Sequence, residues 1–483
     1  MTLDSHTCYR ALRARDARFD GRFFVAVSST HIYCRPVCTV KPPKRENCRF
    51  YPSAAAAEAG GYRPCLRCRP ELAPGNASVD ATSRLAQAAA SLIEDRSLDG
   101  DGLDVVAARL GITDRHLRRA FGAEFGVSPV EFAQTQRLLL AKRLLTDTSL
   151  PVTEIAFASG FGSLRRFNAL FKQRYRLQPG RLRRHMKING AVSSDALAFE
   201  LSFRPPYDWK ALSGFLGARA IEGVEAVEDG RYRRTARVTL DGKAHAGWIE
   251  VSPSRRKPAL RVTVSASLAK VLPPVLSRVK ALMDLACNPA EVALALGELG
   301  ARHPGLRVPG AFDGFEVAVR AILGQQVTVA AARTLAGRFA AAFGDSIETP
   351  FICLNRIFPT AERVARLPYG QVARLGMPGA RAKTVIALAR AVADGKLDLV
   401  PNADIDATLE KLRAMPGVGE WTAQYIAMRS LAWPDAFPHN DLGVMKALGE
   451  TRPARVLAAG EAWRPWRAYA VMHLWQSLAK ETT

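Results

Sequence analysis

A chain of 483 residues with 48% hydrophobic and 23% charged side chains is long enough for several domains, each with its own core. Its 68 Lys and Arg against 45 Asp and Glu give a net charge of +23, which favours a polyanionic partner. No apolar N-terminal core and no run of about 18 apolar residues is found, so neither a signal peptide nor a membrane span is expected, and the expected location is the cytoplasm.

The basicity is densest at the front: residues 1–190 carry 31 basic and 17 acidic side chains, the remainder 37 and 28. Cysteines supply the first motif. Cys34 and Cys38, then Cys65 and Cys68, form two close pairs separated by 26 residues, the economical way to offer four thiolates to one tetrahedral Zn²⁺. Cys8, Cys48, Cys287 and Cys353 lack such spacing and read as packing thiols.

The surroundings of the four thiols carry more information than their spacing. Phe23 to Cys38 (FFVAVSSTHIYCRPVC), Arg45 to Tyr51 and Gly61 to Pro70 resemble the N-terminal domain of the Ada family. That resemblance implies that Cys34 is both a zinc ligand and an irreversible acceptor of a methyl group from a methylphosphotriester in DNA. Loss of one thiolate charge would then weaken repulsion from phosphates and tighten DNA binding. The Ada family's second methyltransferase domain, with its Pro-Cys-His-Arg motif, is absent, so no repair of O6-alkylguanine is expected.

A small, polar stretch from Ala73 to Ser83 suits a linker. Beyond it the pattern is helical and repeats itself: Leu103, Val106, Ala107 and Gly111 recur as Val152, Ile155, Ala156 and Gly160, and Leu117 and Phe121 recur as Phe167 and Phe171. Each copy is an apolar helix, a glycine turn and a second helix, the helix-turn-helix pattern. The second helices carry Arg115, Arg118 and Arg119 in one copy and Arg165 and Arg166 in the other, placed for a major groove or its phosphates. With Ala156 to Lys172 (AFASGFGSLRRFNALFK), the pair resembles the AraC-type DNA-binding domain. That implies operator DNA as a partner and RNA polymerase as the machinery acted upon.

Met186 to Ala196 reads as a second linker. Alternation then predicts strands over 197–203, 232–240, 246–251 and 260–264 around a helix at 209–219, with no chemistry visible among them. From Pro273 the pattern is helical to the end, interrupted near Pro350 and Pro401.

Met415 to Ala423 (MPGVGEWTA) is a tight hairpin in which Gly417 and Gly419 leave backbone N–H groups open to a phosphate at the start of the next helix. Asp441 follows in Pro-His-Asn-Asp, a turn running into a helix cap. A carboxylate beside a clamped backbone can stabilise positive charge developing on a deoxyribose.

Together with Phe315 to Thr328, Leu375 to Gly379 and Trp463 to Trp475, this stretch resembles AlkA-type 3-methyladenine DNA glycosylases of the helix-hairpin-helix superfamily. The resemblance implies that Asp441 is catalytic and that Trp421, Tyr425 and Trp475 receive a flipped, electron-poor base. The resemblance also places Gln325 and Gln326 at the substrate: Gln325 lies just before the position of the family's intercalating wedge, an apolar residue in the best-known pattern but Gln326 here, so either Gln326 bonds to the orphaned partner base or flipping is weaker and the substrate range differs. Trp421 stands where lyase members carry a Schiff-base lysine, which implies hydrolysis without strand cleavage. A monovalent cation on the hairpin carbonyls of 415–418 is also implied. No cysteine follows Cys353, so no iron-sulfur cluster is expected.

The expected architecture is multidomain α+β: a small zinc-bound α/β domain (1–75), an all-α double helix-turn-helix domain (84–186), a small antiparallel α+β domain (196–305) and an all-α helix-hairpin-helix glycosylase domain (306–483). The expected partner is double-stranded DNA, alkylated and operator, with no membrane. The competing expectation is a transcription regulator whose C-terminal half only grips DNA, with Asp441 a plain helix cap.

Overall fold

The computed structural model describes residues 4–74, 81–95, 102–148, 150–185, 196–240, 242–401 and 404–480. Of the expected linkers at 73–83 and 186–196, residues 75–80 and 186–195 lie outside the described residues, while 81–83 already belong to a helix and Ala196 to a strand. Among the described residues no helix is long and apolar enough to cross a membrane.

The chain begins with α1 (Ser5–Ala14), a four-stranded sheet and one short helix, α2 (Ala54–Ala59). The strands β1 (Phe24–Val27), β2 (Ile32–Cys34), β3 (Cys48–Tyr51) and β4 (Arg63–Pro64) lie in the order β3-β1-β2-β4. β2 pairs antiparallel with β1 and parallel with β4, so Cys34 at the end of β2 and Cys65 just after β4 emerge side by side.

Seven helices follow: α3 (Ala81–Asp95), α4 (Gly102–Arg109), α5 (Asp114–Phe125), α6 (Pro129–Asp147), α7 (Val152–Ala158), α8 (Leu164–Tyr175) and α9 (Pro179–His185). The repeat is visible in packing: Leu117 and Phe121 of α5 and their counterparts Phe167 and Phe171 of α8 are all fully buried. The turn glycines Gly111 and Gly160 both take the left-handed conformation that a side chain would oppose, at φ +66° and +83°. Thr113 and Ser163 cap the second helices, and Ser128 with Glu131 forms a capping box that starts α6 between the two copies.

The next domain is a five-stranded antiparallel sheet, in the order β5-β9-β8-β7-β6, with α10 (Trp209–Ala218) against it. Its strands are β5 (Ala196–Ser202), β6 (Glu225–Glu228), β7 (Arg231–Leu240), β8 (Lys243–Pro253) and β9 (Ala259–Ser265). Alternation predicts four of these. Strand β6 escapes it because the segment is short and carries charge at both ends, and pairing with β7 is what makes it a strand.

The C-terminal region contains α11 (Leu272–Leu282), α12 (Pro289–Leu296), α13 (Glu298–Arg302), α14 (Gly314–Leu323), α15 (Val329–Phe343), α16 (Ala361–Ala365), α17 (Tyr369–Ala373), α18 (Gly379–Ala393), α19 (Ile405–Arg413), α20 (Glu420–Arg429), α21 (Leu442–Leu448), α22 (Pro453–Gly460) and α23 (Arg467–Lys480). The expectation of helices alone needs one correction, since Asp345–Ser346 and Arg356–Ile357 pair as a small ribbon, β10 and β11, around the Pro350 interruption.

Domain edges are packed rather than open. One apolar core joins Leu144, Ile155 and Phe167 of the second helix-turn-helix unit to Phe199, Tyr232 and Val262 of the five-stranded sheet. Arg143 is buried at that seam, its guanidinium 4.7 Å from the Phe199 ring and donating to the Glu200 carbonyl at 2.7 Å.

Candidate functional site

The four paired cysteines converge. All of their Sγ atoms lie within 4.8 Å of one another and none is in a disulfide. A tetrahedral Zn²⁺ with ligands at about 2.3 Å places sulfurs roughly 3.8 Å apart, so the cluster fits that ion. Ile32 and Val40 pack around the thiols. Exposure does not single out Cys34, which is 6% exposed while Cys68 is the more open. Hydrogen bonds divide the four: the Arg35 amide donates to Cys68 Sγ at 3.3 Å and the Arg67 amide to Cys65 Sγ at 3.4 Å, which sets these two sulfurs apart from Cys34 and Cys38. Arg35, next in sequence, is buried and forks onto Asp20.

In the double helix-turn-helix domain, Arg115, Arg118, Arg119, Arg165 and Arg166 are all exposed on α5 and α8. Arg118 is tied to Asp114 one turn back, at 2.8 Å, and the pair shares the exposed face.

The second site is built where α19, α20, α21 and α23 meet. The turn from Met415 to Gly419 joins α19 to α20, with Gly417 at φ +87°. A Cβ on Gly417 would fall 2.2 Å from Thr384 Oγ1, so glycine is required for space as well as conformation. Thr384 donates to the Pro416 carbonyl at 3.0 Å, and Gln325 Nε2 donates to the Gly417 carbonyl at 2.8 Å and to Thr422 Oγ1 at 2.9 Å. Gln325, expected at the substrate, therefore has its amide on the hairpin. Gly419 starts α20 with no side-chain cap, leaving the first-turn N–H groups facing an exposed turn.

Asp441 caps α21 and is partly exposed. Its Oδ1 accepts from the Val444 amide at 2.9 Å and from Trp475 Nε1 at 2.8 Å, and its Oδ2 accepts from Trp421 Nε1 at 2.7 Å. Three donors from three helices thus fix one carboxylate. Gly443 makes room, since a Cβ there would stand 3.1 Å from Trp475 Cδ1.

The same two indoles belong to an aromatic cluster. Trp421 stacks on Tyr425 at 5.2 Å and 17°, Tyr425 tilts against Trp475 at 6.4 Å, and Trp475 stacks on Phe215 of α10 at 6.1 Å and 17°. The α+β domain, where no chemistry is visible in sequence, thus contributes a ring to the site; nothing in the pattern of α10 marks Phe215. Arg429 donates to Tyr425 Oη at 2.8 Å. Burial opposes ionisation of the Tyr425 phenol, but the guanidinium charges of Arg429, Arg219 and Arg320 outweigh it and hold the phenol below its usual range. Phe215, Thr384 and Thr422 were not legible as site residues, because each acts through a partner distant in sequence, and Arg429, one turn from Tyr425, belongs to no motif.

Gln326 lies outside the cluster, exposed on the turn that ends α14, at φ +54°. A non-glycine residue in that region is uncommon, and such backbone strain gathers at ligand-contacting turns. Exposed Val327 and Val329 follow it. A cavity of about 300 Å³ lies elsewhere, between the domains, lined by Ser53, Glu71, Glu94, Lys280 and Trp433; it does not include Asp441 or its partners.

Four family models match in chain order: the metal binding domain of Ada over residues 7–71, a helix-turn-helix domain over 106–185, the AlkA N-terminal domain over 198–313, and the HhH-GPD superfamily base excision DNA repair protein over 319–456. A probable bifunctional transcriptional activator/DNA repair enzyme AlkA of Mycobacterium tuberculosis is 39% identical over 98% of this chain and 97% of its own length. DNA-3-methyladenine glycosylase 2 of Escherichia coli is 39% identical over 57% of this chain and 96% of its own. The bifunctional transcriptional activator/DNA repair enzyme Ada of Escherichia coli is 36% identical over 28% of this chain and 36% of its own.

Proposed function

The chain belongs to the family of bifunctional transcriptional activator/DNA repair enzymes, and from that premise we propose which of its residues carry the repair of alkylated DNA and which carry regulation. Its C-terminal half is a DNA glycosylase, a hydrolase of N-glycosyl bonds, and double-stranded DNA is its partner.

Asp441 is the catalytic residue in this reading. As an alkylated purine leaves with the electron pair of the C1′–N bond, positive charge gathers on the deoxyribose. The carboxylate stabilises that charge and orients water, whose oxygen bonds to C1′ while a proton passes to solvent. Trp421, Tyr425 and Trp475 hold the flipped base, and the open N–H groups at Gly417 and Gly419 hold the phosphate. With an indole at 421 in place of an amine, no Schiff base forms and the strand stays intact. Gln326 enters the stack and bonds to the orphaned base. The 415–418 carbonyls would hold a monovalent cation, each engaged carbonyl keeping a second lone pair.

The observation that carries this reading is the Asp441 carboxylate held by the indole N–H groups of the two tryptophans that would also receive the base. A helix cap alone would need only the Val444 bond. Base release from N-methylated duplex DNA by wild type and Asp441→Asn tests it. Equal release at background level by both proteins would leave only DNA gripping.

Cys34 is the proposed methyl acceptor. Bound Zn²⁺ keeps the four thiols as thiolates at neutral pH. Cys34 Sγ attacks the methyl carbon of a methylphosphotriester, an S–C bond forms, and the C–O electron pair leaves with the phosphodiester. Amide bonds onto Cys65 and Cys68 lower the nucleophilicity of those sulfurs and leave Cys34 and Cys38 the more reactive, and of these two the Ada-family match favours Cys34. Mass spectrometry after incubation with methylphosphotriester DNA should find one added methyl group on Cys34; its absence would make the cluster purely structural. Arg115, Arg118, Arg119, Arg165 and Arg166 contact operator DNA, and RNA polymerase is the partner then recruited.

A further inference from the structure

Helix α2 of the four-cysteine domain is six residues long and touches the ends of both exposed second helices, α5 and α8. At its start, Ser53 Oγ accepts from the Ala56 amide at 3.0 Å and donates to the carbonyl of Phe125, the last residue of α5, at 2.6 Å. Gly126, which ends α5 at φ +70°, lies flat against it: a Cβ there would stand 3.3 Å from Pro52 Cγ and 3.4 Å from Ala56 Cβ. At the other end of α2, Glu58 Oε1 accepts from Oη of Tyr175, the last residue of α8, at 3.3 Å. Arg174 donates to the Glu58 carbonyl at 3.2 Å.

The Glu58 carboxylate is 3% exposed and meets two more elements. Thr135 of α6 approaches Oε2 at 3.5 Å, and Tyr33, the residue before Cys34, donates to Oε1 at 3.0 Å. A carboxylate is costly to bury, and an apolar side chain would fill the same volume at less cost. What the polar contacts add is direction, because hydroxyls from three elements must all point at one group.

We propose that α2 is a yoke that fixes the spacing and tilt of α5 and α8, and that Glu58 is a positioning residue for sequence-specific DNA reading. The two helix-turn-helix units are joined in sequence by α6, a 19-residue helix spanning roughly 28 Å, and each also packs on the C-terminal half, the first through Glu94–Lys280 and Arg109–Asp398 and the second through the core around Phe199. Two reading helices on one face of a duplex must sit about 34 Å, one turn, apart. What α2 adds is a direct tie between the C-terminal end of α5 and that of α8. Operator reading then requires the four-cysteine domain before any methyl transfer. The strand that carries Cys34 reaches α8 through this one carboxylate.

The proposal rests on the reading that α5 and α8 enter DNA, and the experiment separates the two. Full-length protein selects a duplex from a randomised library; affinity for that duplex and for random duplex, and the length of the protected segment, are then measured. Glu58→Leu should lower the ratio of the two affinities at least tenfold and shorten the protected segment to that of one unit. Affinity for random duplex, one zinc per chain and base release should be unchanged. Glu58→Gln, which keeps an acceptor, should restore most of the ratio, and Tyr175→Phe, outside the four-cysteine domain, should lower it in part. Unchanged ratio and footprint in Glu58→Leu and Tyr175→Phe would overturn the yoke. If Glu58→Leu loses zinc, Tyr175→Phe decides. If Arg115→Ala and Arg166→Ala leave the selected duplex bound as before, the groove reading itself fails and takes the yoke with it.

Discussion

Asp441 has two attachments that a single substitution can separate. As the cap of α21 it accepts from Val444, a role that asparagine fills equally well, but an asparagine NH2 cannot accept from Trp421 Nε1, so Asp441→Asn should cost about 1–3 kcal/mol of stability. In its proposed role, as a charge facing a deoxyribose, it has no neutral replacement, and base release should fall roughly 100-fold or more, equivalent to about 2.7 kcal/mol of barrier. Thermal unfolding and single-turnover release on one preparation read both; a large loss of stability would mean that any lost rate reports unfolding. Glu58 illustrates the opposite balance. Burial pushes its carboxyl up to about 7, against the hydrogen bond from Tyr33, the charge of Arg174, the bond from Tyr175 and the charge of Lys142. Thr135 also approaches it, and Lys142 is itself paired with Glu71. The folded state keeps this proton where the unfolded chain, titrating near 4.3, has lost it. The contribution is therefore full below about pH 4 and is lost as pH rises toward 7, amounting to roughly 3 kcal/mol. Calorimetry from pH 4.5 to 8 should show the N-terminal transition falling in wild type, and Glu58→Gln should flatten it.

The hairpin between α19 and α20, to which the proposed function assigns the DNA grip, is braced from two sides by Thr384 and Gln325. Gly417→Ala places a methyl group against Thr384 Oγ1 and forces a side chain into positive φ. Together these should cost about 1–3 kcal/mol and displace the open N–H groups. Affinity for an abasic-site duplex should drop at least tenfold, while Gly419→Ala, with free space around it, should be mild. Equal effects at the two glycines would show that space against Thr384 is not what selects glycine. The helix-turn-helix repeat is a second element whose logic is local, with matching buried positions and matching glycine turns in both copies.

Across the whole molecule, the halves are joined by a shared core and by polar ties. Arg109 pairs with Asp398 at 2.5 Å, Glu94 with Lys280 at 3.3 Å, and Arg143 is buried on the first strand of the five-stranded sheet. Cutting the chain at 190 uncovers Phe199 and the seam around it. Residues 191–483 alone should still release methylated bases, since every group around Asp441 lies within them, but should unfold several degrees below the full chain. An equal midpoint would mean that the seam contributes nothing to stability.

The four-cysteine pairs, the helix-turn-helix repeat and the glycine hairpin with its aspartate were legible from the amino-acid order alone. Each is a short pattern whose chemistry depends on residues close in the chain: ligand spacing, a turn requiring glycine, an apolar period. By contrast, Phe215 beside Trp475, Gln325 turned onto the hairpin and Glu58 between two tyrosines bring together residues tens to more than two hundred positions apart. Strand β6 likewise becomes a strand only by pairing with its neighbour. Local order determined which chemical groups this protein carries. Long-range packing decided which of them meet, because burial and hydrogen bonding act through space and leave no periodic trace in sequence.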